Sequence, residues 1–135
     1  MTSDIIRAKY LGAPYLHKGR TIAGLDCYGL IIKVYEDLGI RLYDIDEDYT
    51  PDWSWSGRNY FIENYHKEWD KIELPEQFDV VLFCMHDNGI ADHGGVMLNS
   101  DEFIHTCKAG TVVTKISQLR GKIEGYYRYK QNDNC

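Results

Sequence analysis

Cys27 and a small set of histidines are the residues in this chain whose types could break a covalent bond without a cofactor. A thiol becomes a nucleophile when its thiolate is favoured, and a helix N-terminus favours it because backbone N–H groups and the macrodipole stabilise negative charge. An imidazole is the natural partner, since it takes a thiol proton near neutral pH and returns it to a leaving amine. A third polar group then holds that imidazole in the right tautomer. Cys27 has such a placement in prospect. From Cys27 to Leu38 the apolar residues Leu30, Ile31, Val34, Tyr35 and Leu38 recur at helical spacing. Asp26 is a suitable N-cap, and Gly39 supplies the stop. Taken alone, a cysteine is more often a small buried hydrophobe than a nucleophile.

Five histidines compete for the partner role: His17, His66, His86, His93 and His105. His93 opens a strand after Asp92, and His105 lies inside the next strand. A hairpin turning at Asn99-Ser100 puts residue 93 opposite residue 106, within one position of His105, so the two rings are candidates for base and orienter. The bland reading leaves His93 as a turn histidine and His105 as a packed strand residue. Cys84, His86 and His93 lack a recognised ligand spacing, and no C-x-x-C pair occurs, so no metal and no cofactor are expected.

The elements that must position these residues read as follows. Residues 3–10 predict a short helix capped by Ser3 or Asp4. Gly12-Ala13-Pro14-Tyr15 and Gly19 mark a turn-rich loop. Residues 44–57, acidic and aromatic with Trp53 and Trp55, read as a long loop, and 58–70 as a helix bearing Phe61, Ile62, Tyr65 and Trp69. After Pro75 the pattern changes to strands: Asp79–Met85, Gly95–Leu98, Glu102–Cys107, Thr111–Ile116 and Ile123–Lys130, with a brief turn or helix at Ser117–Leu119. Helices first and an antiparallel sheet afterwards predict an α+β fold.

At 135 residues, 44% hydrophobic and 27% charged, the chain reads as one globular domain, 1–135, with a core over about 8–130 and an insert at 44–70. A formal charge of −6 without a basic stripe disfavours nucleic acid as a partner. Four separated cysteines point to a reducing compartment, and the N-terminus shows neither a signal peptide nor a membrane span. Synthesis in a cytoplasm without a leader is the expectation.

Several local patterns together resemble the NlpC-type peptidases, papain-like hydrolases of the cell wall. Gly24-Leu25-Asp26-Cys27-Tyr28-Gly29-Leu30 is similar to their D-C-S/Y/W-G-L nucleophile motif. Gly12-Ala13-Pro14-Tyr15 resembles an upstream G-x-P-Y. Asp79-Val80-Val81-Leu82-Phe83 resembles the strand that follows their proline. His93-Gly94-Gly95-Val96 resembles the H-x-G-hydrophobic motif, and Phe103-Ile104-His105 the segment of the third polar residue. The resemblance covers about residues 8–129. It implies a papain-like fold with the nucleophile at the start of a central helix packed on an antiparallel sheet. It also implies a cysteine peptidase with Cys27, His93 and His105 as its catalytic residues and peptidoglycan stem peptide as substrate, commonly cut between D-γ-glutamyl and a diamino acid. Tyr15 and Asp26 would lie near the substrate's amino end, and the Cys27 N–H in the oxyanion hole. On the residues alone, Asp26 also reads as a simple cap and Tyr15 as packing.

The tyrosine after the cysteine, the aromatic insert and the ending Gly125-Tyr126-Tyr127-Arg128 are most similar to the subgroup in bacteriophage tails, which implies a virion location and tail proteins as partners. Two alternatives stand beside the peptidase: a catalytically weak structural module of a tail tip, and an amidase or acyltransferase on the same scaffold. The chain departs from the family twice. Leu16-His17-Lys18-Gly19 replaces the usual W-G-G, and Phe78 stands where glycine is usual, although a bulky residue adopts positive φ only at a cost.

Overall fold

A computed structural model describes residues 2–42, 69–86 and 91–130. The expected loop at 44–57, His66, Cys135 and all but the end of the expected 58–70 helix lie outside the described residues.

Helix α1 spans Ser3–Tyr10, and its cap is Thr2, whose hydroxyl accepts the Ile5 N–H, rather than Ser3 or Asp4. Two short strands, β1 (Arg20–Thr21) and β2 (Gly24–Leu25), lead into α2, Cys27–Asp37. Asp26 caps α2 as expected, accepting the Gly29 N–H at 2.7 Å. At the other end Gly39 takes φ 84°, its N–H bonds Glu36, and the Ile40 N–H reaches back to Tyr35 at 2.9 Å, a Schellman closure.

Six antiparallel strands follow: β3 (Trp69–Ile72), β4 (Val80–Phe83), β5 (His93–Met97), β6 (Glu102–Cys107), β7 (Gly110–Lys115) and β8 (Ile123–Tyr129). Their order in the sheet is β3-β8-β4-β5-β6-β7. Two 3-10 turns, Ile116–Gln118 and Arg120–Lys122, lead into β8. The α+β expectation holds.

Trp69 corrects one expectation. It begins a strand rather than ending a helix, because it pairs with Tyr129 and packs edge-on against Tyr35 and Tyr129, with centroids 5.2 and 5.4 Å away. Contacts distant in sequence override a local helical pattern.

Strand β4 is buried on both faces, which accounts for its unbroken apolar run. Val80 and Leu82 meet α2 together with Val96 and Ile104 in the main core. Val81 and Phe83 turn the other way, into a second cluster with Met97, Phe103 and Ile116. Each fully buried aliphatic or aromatic side chain here contributes about 1.5–3 kcal/mol.

Phe78, just ahead of β4, does adopt the left-handed backbone at φ 73°, at a cost of about 1–2 kcal/mol. Contacts on both sides of its backbone hold it there: its N–H bonds the Met97 carbonyl at 2.7 Å, and its carbonyl accepts the Tyr35 hydroxyl. Next to it, the buried Asp79 takes Arg128 of β8 in a two-point grip at 3.0 and 2.8 Å.

Candidate active site

The glycines of the cysteine motif build the mouth of α2. A Cβ on Gly29 would overlap the Gly19 carbonyl, and one on Gly19 would overlap the Gly24 carbonyl. The 16–25 loop therefore lies directly on the first helical turn. Asp26 locks it there. Besides the cap bond, its carboxylate accepts the Lys18 N–H at 3.0 Å and pairs with Arg20 at 3.1 Å. Lys18 takes φ 62°, a glycine-like conformation at the place where the family carries W-G-G. Arg20 in turn lies over the Tyr28 ring, 5.7 Å from its centroid. Asp26 is 5% exposed and is committed to cap, loop and Arg20. Half-buried Tyr15 bridges to Leu25, flanked by hydrogen bonds from Leu25 to Pro14 and from Leu16 to Leu25, which brings it beside the cysteine motif.

The two glycines after His93 have distinct duties. A Cβ on Gly94 would press Ile31 of α2 and Leu82, so glycine there admits the helix. A Cβ on Gly95, on the opposite face, would come within 2.7 Å of the Ile104 carbonyl and 3.0 Å of the His105 Cβ. Glycine at 95 makes room for the second histidine.

His93 Nε2 and His105 Nδ1 lie 2.7 Å apart. The expected partnership of the rings is present, but through a register one residue different from the one counted from the turn. Val96 pairs with Ile104 and Met97 with Phe103, so residue 93 aligns with 107 rather than 106. That shift decides the geometry, because a one-residue slip turns every side chain to the other face. Only the observed register puts His93 and His105 on one face as diagonal neighbours. Phe83 and Phe103 flank the rings, with centroids 6.0 Å from His93 and 4.5 Å from His105. Beyond them, His105 Nε2 meets Thr114 Oγ1 of β7 at 2.8 Å.

Cys27 sits buried at the first turn of α2, where the backbone N–H groups of Gly94 and Tyr28 favour its thiolate. The helix that carries Cys27 and the strand that His93 opens pack together at Gly94, where an added Cβ would meet Ile31. Burial pushes the Cys27 thiol up to about 12, reinforced by the charges of Asp26 and Asp92, against the pull of the two backbone donors. The helix mouth alone predicts a thiolate, and burial to 8% exposure reverses that prediction. Burial likewise pulls His93 down to about 3, aided by His105 and opposed by Asp92, and holds His105 at about 4. Burial thus favours the neutral form of the thiol and of both imidazoles.

Two features escaped the sequence reading: Thr114, and the pairing of Asp92 with His86. Asp92 accepts the Met85 N–H at 2.8 Å and also bonds the His86 ring, tying the end of β4 to the start of β5. The adjacency of Asp92 to His93 was a usable signal, but the pairings of Asp92 with His86 and His105 with Thr114 cross between strands. Asp92→Asn keeps an acceptor for Met85 and removes the charge that opposes thiolate formation. The half-rate pH for alkylation of Cys27 by iodoacetamide should therefore move below that of the parent protein. An unchanged or higher value contradicts this account of the charge.

Among the described residues no group of His, Cys, Asp and Glu converges as a metal site, the Cys84, His86 and His93 set included.

The sequence matches the NlpC/P60 family over residues 12–130. The chain belongs to the NlpC/P60 family. No curated protein matches it. Among solved structures, an NLP/P60-family protein similar to a lipoprotein, from Staphylococcus aureus, superposes with a TM-score of 0.67 at 21% identity, covering 97% of this chain and 41% of that one. The NlpC/p60 domain of the peptidoglycan hydrolase SagA gives 0.62 at 16% identity, covering 95% and 99%. An NlpC/P60 protein of Bacillus cereus gives 0.67 at 19%, covering 96% and 40%. This chain therefore spans about two-fifths of the S. aureus and B. cereus proteins, and these likenesses establish the NlpC/P60 papain-like fold.

Proposed function

We propose that this NlpC/P60 chain is a cysteine peptidase of peptidoglycan stem peptides, with Cys27 as nucleophile, His93 as base and His105 as its orienter. The observation that carries the reading is the junction of α2 with β5: a cysteine at a capped helix mouth, on a helix packed against the strand opened by a histidine that is itself bonded to a second histidine. Family membership and the likeness to the hydrolase SagA support the substrate class. The thiol proton passes to His93 as the sulfur attacks the scissile carbonyl. The Cys27 N–H faces the developing oxyanion, a donor worth about 3–4 kcal/mol. His93 then gives the proton to the departing amine, leaving a thioester on Cys27. Water, deprotonated by His93, attacks the thioester and frees the acid and the thiol. Tyr15 borders the substrate's amino end, and Asp26 shapes that edge through Lys18 and Arg20.

The bond proposed is that between D-γ-glutamyl and the diamino acid. Incubation with defined stem peptides and mass spectrometry should give a fragment ending in γ-glutamate and one beginning with a new diamino-acid amine. Intact peptides, or fragments from another bond, contradict it. The buried sulfur favours one second reading, a structural module with little turnover. The bacteriophage-tail setting rests on Tyr28, the aromatic insert at 49–69 and the Gly125–Arg128 ending, and its test is the presence of the chain in purified virions.

A further inference from the structure

We propose that Thr114 is a positioning residue of the catalytic machinery: its hydroxyl oxygen accepts the His105 Nε2–H and thereby leaves His93 Nδ1 open to receive the thiol proton. This inference rests on the roles of Cys27 and His93 given above. His93, His105 and Thr114 form a diagonal across β5, β6 and β7 on one face of the sheet, with separations of 2.7 and 2.8 Å. Phe103 pairs with Thr114 and His105 with Val112, so the diagonal is set by strand register.

A neutral imidazole carries one donor and one acceptor, so two neutral rings in series permit only two arrangements. In the first, His93 Nε2–H donates to His105 Nδ1, and His105 Nε2–H donates to Thr114. In the second, Thr114 donates to His105 Nε2, His105 Nδ1–H donates to His93 Nε2, and the His93 proton sits on Nδ1. Only the first lets His93 take up a proton. It then becomes an imidazolium that still donates from Nε2 to His105, whereas the second would set two N–H groups against each other. A hydroxyl can serve either arrangement, and the acceptor role is assigned to Thr114 because only the first arrangement lets His93 take up a proton. The flanking Phe83 and Phe103 rings wedge the imidazoles, and Gly95 leaves the space His105 occupies.

Thr114→Val preserves the β-branched shape that suits a strand and deletes the acceptor. The expected result is a kcat for stem-peptide cleavage 10- to 100-fold lower with KM within twofold of the parent, an unchanged melting temperature to within a few degrees, and recovery in Thr114→Ser. Nitrogen-15 NMR of the histidine rings gives a readout independent of turnover. Both His93 and His105 should carry their proton on Nε2 in the parent protein, and His105 should shift it to Nδ1 in Thr114→Val. A parent His105 protonated on Nδ1, or a Thr114→Val variant with parental kcat, overturns the proposal. Absence of cleavage by the parent protein would instead remove the peptidase reading, while the NMR result would still decide the role of Thr114.

Discussion

Cys27→Ala should lower stem-peptide cleavage by at least about three orders of magnitude while the fold persists, and His93→Ala should do nearly the same. Removal of either nucleophile or base leaves only binding and oxyanion stabilisation, so the double variant should be scarcely worse than the singles. Non-additivity of that kind marks residues acting as one unit. Circular dichroism and thermal melts verify the fold, and activity within tenfold of the parent in either variant contradicts the assignment. Burial of the thiol adds a further consequence. Because burial pushes the thiol to about 12, iodoacetamide should label resting Cys27 slowly at neutral pH, so slow labelling is no argument against catalysis here.

The second large effect is on stability. Gly29→Ala should lower the melting temperature by about 10 °C or more, because its new methyl group meets the Gly19 backbone carbonyl rather than a yielding side chain. Relief requires the 16–25 loop to lift from α2, which also loosens the Asp26 cap, itself worth about 1 kcal/mol. Differential scanning calorimetry measures the shift. A melting temperature unchanged within 2–3 °C, on the order of half a kcal/mol, would show that the loop yields cheaply.

The features written in local pattern were legible in advance. The Cys27 helix with its Asp26 cap and Gly39 closure follows from spacing and capping chemistry, and α2 ends one residue before Leu38, which serves as its C-cap. The five later strands also lie within a few residues of their expected bounds. What depended on three dimensions was not legible. Counting from Asn99-Ser100 gives a register that sends His93 and His105 to opposite faces, and only the actual pairing at Val96 and Met97 brings the rings together. Trp69 reads as helical because its partners, Tyr35 and Tyr129, are distant in sequence. The environment of the thiol was legible only in part for a similar reason: the helix mouth is a local feature, whereas the burial that opposes the thiolate comes from elements packed around it. Of the cysteine motif, the glycine at 29 had no physical account from sequence, and acquires one from the approach of Gly19.

The most direct measurement of the central claim is the intact mass of the protein quenched in acid during turnover of an activated γ-glutamyl ester, followed by mapping of the modified peptide. A transient acyl adduct on Cys27, absent from Cys27→Ala and accumulating in step with product, is the predicted result. Product formation with no adduct, or with the acyl group on another residue, would contradict it.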